Sequence, residues 1–362
     1  MNDGPPLLVS ARPVLTVDGR EDEALGRDLL RLEAREDEHG LATLEAVFLN
    51  FGVRTPGDAP GYVHFDRQRL DFGKGVSVAF ETGGRRETVF EGKVTALGAL
   101  YPEQRPPELT LVAEDMLAKL RLARRGRVFE NATDQAIVEE LLRDTGLRAE
   151  VGTPGPRHAQ RWQVGLSELA LLRERAAALD ARISLRDGTL RLATREDGAR
   201  PIALSTLNEL IRFEVRADLA EQRSAVRAHG WDVAGGSAIH EEAGADVAQS
   251  IAAAGGRTGP DCVRDAWGEA PEDLHLEMPA TADEARQLAE ARMKRRARRF
   301  VTGRGVTRGT PSIRVGARVE LVDLGAWFSG VYEVTAARHR FDQAEGYRTE
   351  FEACRPALEP GA

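Results

Sequence analysis

The chain has 362 residues, 42% hydrophobic and 30% charged, a globular composition too long for a single hydrophobic core. Its net charge of −8 and pI near 5.6 argue against general adhesion to DNA or anionic membranes. Cys262 and Cys354 stand far apart with no CxxC spacing, which argues against a disulfide or zinc site and for a reducing compartment.

The N-terminal MNDGPPLLVSARP lacks the basic and apolar regions of a signal peptide, and no apolar run approaches the ~18 residues of a membrane span. The protein is therefore expected to be made in the cytoplasm. The first ~115 residues read as strands. LLRLEARE (29–36) and LATLEAVFLNF (41–51) alternate apolar and polar positions around an EDEHG turn. VSVAFETGGRRETVFEGKVTAL (76–97) predicts a hairpin turning at Gly83-Gly84, and LTLVAED (109–115) a closing strand.

NATDQAIVEELLRDTGL (131–147) then predicts an amphipathic helix capped by Asn131 or Thr133 and stopped at Gly146. A second helix starts at Ser167, and ISLRDGTLRLAT (183–194) predicts a hairpin turning at Asp187-Gly188. Strand character returns over 201–233. Residues 234–278, rich in Gly, Ala and acids, read as irregular or partly mobile. A helix follows over about 282–300, strands over 314–355, and PALEPGA reads as a frayed tail.

The two strand-rich regions resemble one another. GVSVAFETGGRRETVFEGKVTAL…LTLVAED compares with GARVELVDLGAWFSGVYEVTAARHRF…RTEFEAC. Phe90-Glu91-Gly92 is set against Phe328-Ser329-Gly330, and, after a two-residue slip, Val94-Thr95-Ala96 against Val334-Thr335-Ala336. The expected fold is mainly β with an α+β insertion, two related β-barrel domains flanking a small α+β domain. The expected bounds are 1–120 for the first barrel, 121–200 for the insert, and 201–239 with 301–356 for the second barrel. An insertion occupies 240–300 and a tail 357–362.

VFEGKVTAL (89–97), NATDQAIVEELLRDTGL, SELALLRERAAALDARISLRDGTLRL (167–192), HGWD (229–232) and the C-terminal block together resemble the phage late control protein D family. These are baseplate or tail hub proteins of contractile phages, similar to the hub portion of the type VI secretion spike, valine–glycine repeat protein G. The resemblance implies a homotrimer with two β-barrels per chain, a ring of true threefold and approximate sixfold symmetry. Such a ring would join a hexameric tail tube, or its initiator protein, to a trimeric spike within a baseplate. Because the chain ends after the second barrel, the spike is expected to be a separate polypeptide. DNA or cargo would only pass through the channel, whose wall the acidic balance suggests is negative. The resemblance implies a particle that is a phage tail, a bacteriocin-like tail or an injection system, and does not choose among them.

No chemical motif competes with this structural role. The seven histidines form no HxxxH or HExxH pair, and His275-Leu276-Glu277 lacks the PCxxC that would complete a zinc deaminase signature. His339 reads as a surface or interface side chain. No GxSxG is present, Ser167 reads as a helix cap, Cys354 as a packed thiol, and TGRGVTRG (302–309) is not a phosphate loop. No catalytic residue, cofactor or metal is expected. Candidate interface residues are Phe90, Gly92, Trp231, Arg295, Arg299, Trp327, Phe328 and Gly330.

KRRARRF (294–300) raises the alternative of nucleic-acid binding by the basic helix 292–299; a cell-wall hydrolase component is a further alternative. A helix capped by Thr281, with Ala282, Ala289, Met293, Ala297 and Phe300 on one face, instead places Lys294, Arg295, Arg298 and Arg299 on the solvated side.

Overall fold

In the computed structural model, residues 12–359 are described apart from 55, 56, 58, 123, 195–199 and 276. The fold is mainly antiparallel β. Strand β1 (Pro13–Val17) is followed by helix α1 (Glu23–Asp28), whose cap Asp22 accepts the Leu25 N–H. Strands β2 (Leu29–Asp37), β3 (Thr43–Leu49), β4 (Gly75–Thr82), β5 (Arg85–Leu100) and β6 (Glu108–Glu114) complete the first region. Gly83 and Gly84 make the predicted turn at φ +57° and +74°, a left-handed pair that matches the twist of a tight hairpin.

The insert comprises β7 (Arg127–Thr133), α2 (Asp134–Leu142), β8 (Arg148–Val151), β9 (Arg157–Gln163), α3 (Glu168–Ala178), β10 (Arg182–Arg186) and β11 (Thr189–Ala193). Thr133, rather than Asn131, caps α2 by accepting the Ala136 N–H, and Ser167 caps α3 through the Ala170 N–H. Ile137, Val138, Leu141, Leu169, Leu172 and Ile183 bury their side chains in one core between these elements.

The last part contains β12 (Leu210–Ala217), β13 (Val226–Asp232), β14 (Ser237–Ala243), helix α4 (Ala282–Arg298), β15 (Val301–Arg308), β16 (Arg318–Leu321), β17 (Gly330–Asp342) and β18 (Gly346–Arg355). β13 and β14 lie outside the large sheet, although HGWD and the residues to 239 were expected in a second barrel. They pair with each other, β13 also pairs with Glu272–Leu274, and their apolar face packs on Ala285, Ala289 and Met293 of α4. Nor is 234–278 irregular: it holds β14, helices Ala245–Gln249 and Gly259–Trp267, and that short strand. In the expected frayed tail, Ala357–Leu358 pairs with Arg257–Thr258, while 360–362 lie outside the described residues.

The remaining strands of both β-regions form one 13-stranded sheet. Along it the order runs β12-β15-β18-β17-β2-β3-β6-β5-β4-β1, ending at the two-residue strand Arg20–Glu21. The order contains the same antiparallel unit twice, β2-β3-β6-β5-β4 and β12-β15-β18-β17-β16. Register fixes the correspondence to the residue. β2 and β12 each carry an irregularity, at Leu29/Arg31 and Leu210/Arg212. β5 and β17 each bulge, at Val94/Ala96 and Val334/Ala336.

The extra residue of each bulge is a threonine whose hydroxyl donates across the ladder, Thr95 to the Val112 carbonyl at 3.5 Å and Thr335 to that of Glu352 at 3.3 Å. Val94 and Val334 also share their partners, the backbone of Gly73-Lys74 and of Gly316-Ala317. This register makes LLRLEARED (29–37) the counterpart of LIRFEVRAD (210–218), with Leu, Arg, Glu, Arg and Asp identical at matching places. It also corrects one detail of the repeat. Phe90 lies inside β5, whereas Phe328 ends the short helix Gly325–Phe328, so FEG and FSG do not correspond.

Candidate functional site

The features able to meet partners are the concave face of the sheet, two of its unpaired edges, and the exposed aromatic side chains. Along β17, Ala337, His339 and Phe341 turn inward, while Arg338 and Arg340 point to the opposite face. On that face arginines alternate with acids. Arg338 meets Glu350 at 3.2 Å and Glu33 at 3.7 Å, Arg304 meets Glu352 at 3.1 Å, and Arg212 meets Glu214 at 3.0 Å. Arg35 pairs with Glu33 beside them. A concavity of about 640 Å³ is bounded by Arg35, Arg212, Arg304, Arg338, Glu214 and Glu352.

The two edges differ from every other strand border in the unit. The first half of β5 pairs with β4, and its second half, Ala96–Leu100, is bonded among the described residues on the β6 side alone. Among the described strands β12 pairs with β15 alone. Leu100 is 48% exposed, and the chain beyond it presents Tyr101 at 61%. Tyr101 adjoins an exposed aromatic cluster, in which Tyr62 stacks on Phe65 at 5.2 Å and meets Phe51 and Tyr101 edge-on at 6.2 and 6.4 Å.

All four tryptophans are more than half exposed: Trp162 at 59%, Trp231 at 51%, Trp267 at 66% and Trp327 at 67%. Large aromatics left in water on separate elements are what partner surfaces use as anchors. Of the residues singled out in the sequence, Trp231 and Trp327 are thus at the surface. Phe328 is half-buried against the second core, and Gly330 is held beside Arg355, which donates to the Ser329 carbonyl at 2.8 Å. Phe90 is 2% exposed and lies in the first core, so its side chain cannot be offered to a partner. Gly92 is buried too. A Cβ there would lie 2.3 Å from the Glu114 carbonyl oxygen, so the residue permits close strand approach rather than contact with a neighbour.

Most of the arginines in the basic stretch of α4 are paired within the chain, although Arg299 keeps 56% of its side chain exposed. Arg292 and Arg296 each donate to Glu272, at 2.7 and 2.8 Å, and Arg296 also reaches Glu221 at 3.0 Å. Burial would raise the Glu272 carboxyl, but the hydrogen bonds from Arg296 and Arg292 hold it down at about 2. Arg295 donates to the Ala177 carbonyl at 3.3 Å, Arg298 pairs with Asp180 while only 8% exposed, and Arg299 meets Glu38 at 3.1 Å. Arg295 and Arg299, expected at an interface, thus also make contacts within the chain that clamp α4 onto the insert and the start of the sheet. The periodicity missed this because the acids lie far away in the chain.

Two buried polar groups tie the same parts together. Glu36 on β2 accepts from Arg314 (2.8 and 2.7 Å), from Arg186 of β10 (2.7 Å) and from the Val315 N–H (2.8 Å). Burial acts to raise this carboxyl, yet the two guanidinium groups pull it down to about 2. His158 bridges Asp134 at 3.2 Å and Glu284 on α4. Burial lowers His158, but its hydrogen bonds to those two carboxylates outweigh it and leave it raised. His339, expected at a surface, is 1% exposed and bonded to the Tyr347 hydroxyl at 2.8 Å; burial depresses it to about 3, so it is neutral.

Among the described residues no group of three or more His, Cys, Asp or Glu could hold a metal ion. Leu276 of His275-Leu276-Glu277 lies outside the described residues. Cys354 is buried. No helix among the described residues is long and apolar enough to cross a membrane.

This architecture is that of phage tail proteins and of type VI secretion spike-related proteins. The chain is similar to the 43 kDa tail protein of prophage MuSo2 from Shewanella oneidensis, at 16% identity and a TM-score of 0.70, with 96% of this chain and 99% of that one covered. It is similar to the tail protein from Neisseria meningitidis MC58, at 14% identity, a TM-score of 0.63 and coverage of 97% and 98%. A third likeness is the E. coli c3393 protein, described as a component of the type VI secretion system (13%, TM-score 0.58, covering 96% of this chain and 79% of that one). At these identities the likeness is one of fold. No curated protein sequence matches the chain. The Alg8 N-terminal domain family model matches residues 65–343, and the chain belongs to that family.

Proposed function

We propose that the protein is a non-enzymatic structural hub of a contractile phage tail or related contractile injection system. It assembles as a homotrimer whose two repeats per chain make a pseudo-sixfold ring between a hexameric tail tube, or its initiator, and a trimeric spike, within a baseplate. The observation that carries this reading is the doubled five-strand unit, matched in order and register and joined inside one chain by β17 and β2. A chain that already contains one junction between like units needs only to repeat that junction to form a closed ring. The fold likenesses and the resemblance to the late control protein D family agree with it.

In this ring the concave face lines the channel through which DNA or cargo passes. Its alternating arginines and acids make a wall of mixed sign, not the negative wall that net charge suggested. Such a wall offers a passing polyanion no continuous strip of either charge. The test is the mass in solution, by multi-angle light scattering or native mass spectrometry, with and without a co-expressed spike. Trimers in either condition support the hub; a strict monomer in both refutes it.

A further inference from the structure

We infer that the ring is closed by direct strand pairing between subunits, the second half of β5 in one copy adding antiparallel to β12 of the next in a register that the chain itself specifies. The inference rests on the trimeric reading and adds to it the surface and the residue pairs.

Within the chain, the unit-to-unit junction is the pairing of β17 with β2, from Ala336↔Asp37 through His339↔Ala34 and Phe341↔Leu32 to Asp342↔Arg31. This pairing uses the half of β17 beyond its bulge, on the edge whose first half holds β16. The counterpart of that half-strand in the first unit is Ala96–Leu100, beyond the Thr95 bulge and on the edge whose first half holds β4. The counterpart of β2 is β12. Among the described residues of one chain both counterparts are unpaired on the matching edge, so the same junction is present once made and once as two open halves.

An open edge of this length is a template for another strand and is not left bare without cost. The charges of β12, Arg212, Glu214 and Arg216, all lie on one face and leave Phe213, Val215 and Ala217 on the other, while Pro102, which has no N–H to donate, ends the ladder where Asp342 ends it in the internal junction. Transferring the internal register residue by residue gives Ala96↔Asp218, Leu97↔Ala217, Gly98↔Arg216, Ala99↔Val215, Leu100↔Glu214 and Tyr101↔Phe213. Leu97, Ala99 and Tyr101 then share a face with Ala217, Val215 and Phe213, an apolar and aromatic cross-strand set. Tyr101↔Phe213 stands where Phe341↔Leu32 stands inside the chain.

The pairing also accounts for the exposed apolar surface at both ends. Past Phe213 the incoming strand carries Ile211, 46% exposed, and the loop before it carries Leu207, 90% exposed. Both approach Tyr101 and the Phe51, Tyr62 and Phe65 cluster, an apolar patch in one copy that the second copy covers. The occupant of this surface is therefore another molecule of the same chain.

The test is cysteine cross-linking of the assembled protein. Ala99→Cys with Val215→Cys, and separately Gly98→Cys with Arg216→Cys, place thiols on opposed residues; two consecutive pairs are used because wide and narrow pairs alternate along an antiparallel ladder. Cys262 and Cys354 are both buried, and single-cysteine chains control for them. Mild oxidation is expected to convert at least one double variant to a covalent trimer on a non-reducing gel, while Ala99→Cys with Ala217→Cys, two residues out of register, stays uncrosslinked. Trimers by mass that cross-link only out of register, or not at all, overturn the junction and leave the ring standing. Monomers by mass remove both. If a variant fails to fold, hydrogen exchange on the wild-type trimer decides: 96–101 and 212–217 are expected to be protected as β17 and β2 are, and fast exchange in both overturns the pairing.

Discussion

Glu36→Gln is the sharpest probe of how the chain is held together. The carboxylate of Glu36, on β2, binds Arg186 from the insert and Arg314 from the last region, and Arg314 donates onward to the Thr88 carbonyl at 2.7 Å. Three parts of the chain thus meet on one anion that is almost wholly buried. The amide keeps the volume and removes the charge, leaving two guanidinium groups short of their counter-ion. Glu36 sits at about 2 instead of its ordinary 4.5, which at ~1.4 kcal/mol per pKa unit corresponds to about 3 kcal/mol at neutral pH. Removing one partner from a buried ion pair costs a similar amount, roughly 3–5 kcal/mol.

The sign with pH follows from the depressed value. The contribution is complete above 4.5 and is lost as pH falls toward about 2, so the gap between wild type and variant narrows over that window. Urea unfolding at pH 7 followed by tryptophan fluorescence, with hydrogen exchange on β10 to locate the loss, is the assay. The expected result is a lower midpoint and faster exchange over 182–186. A change under about 0.5 kcal/mol, the level of an ordinary surface substitution, refutes the reasoning. A gap that does not narrow in acid refutes it equally.

Gly92→Ala is expected to cost about 1–3 kcal/mol by the same unfolding assay, because its Cβ would meet the Glu114 carbonyl oxygen at 2.3 Å and the strands must part. Gly98→Ala, whose Cβ finds its nearest neighbour at 3.7 Å, is the control expected to leave the fold intact. His158, raised by Asp134 and Glu284 with Arg161 and Arg175 nearby, should hold α4 to the insert fully below pH 6.5 and progressively less as pH rises through its folded value. Hydrogen exchange over 157–163 and 282–288, corrected for intrinsic rates, should therefore quicken from pH 5.5 to 8.5 in the wild type and not in His158→Gln. Equal pH responses in the two proteins would count against the bridge.

Much of the local structure was legible in the residues. Thr133, Ser167 and Thr281 cap the helices expected from the sequence, with Thr281 accepting the Glu284 N–H at 3.2 Å. The hairpins turn at Gly83-Gly84 and Asp187-Gly188 as read, since both pairs adopt the left-handed backbone such turns require. These features depend on neighbours within a few positions. The doubled β-unit was legible for the same reason at Val94-Thr95-Ala96 and Val334-Thr335-Ala336, where each copy repeats its own local bulge.

Pairing over long distances was decided by tertiary structure alone. An alternating strand specifies which face is buried but not which strand lies beside it, so nothing in 29–37 or 330–342 announces that β2 and β17 join the two units. The same holds for charge. KRRARRF predicts a basic helix end, and only the fold brings Glu272, Asp180 and Glu38 to it. The sequence by itself determined most elements outside 234–278, the caps of the main helices and the repetition around its two bulges. The fold decided where the repetition is joined, which arginines are neutralised, and which edges remain open, because each of those depends on residues tens to hundreds of positions apart.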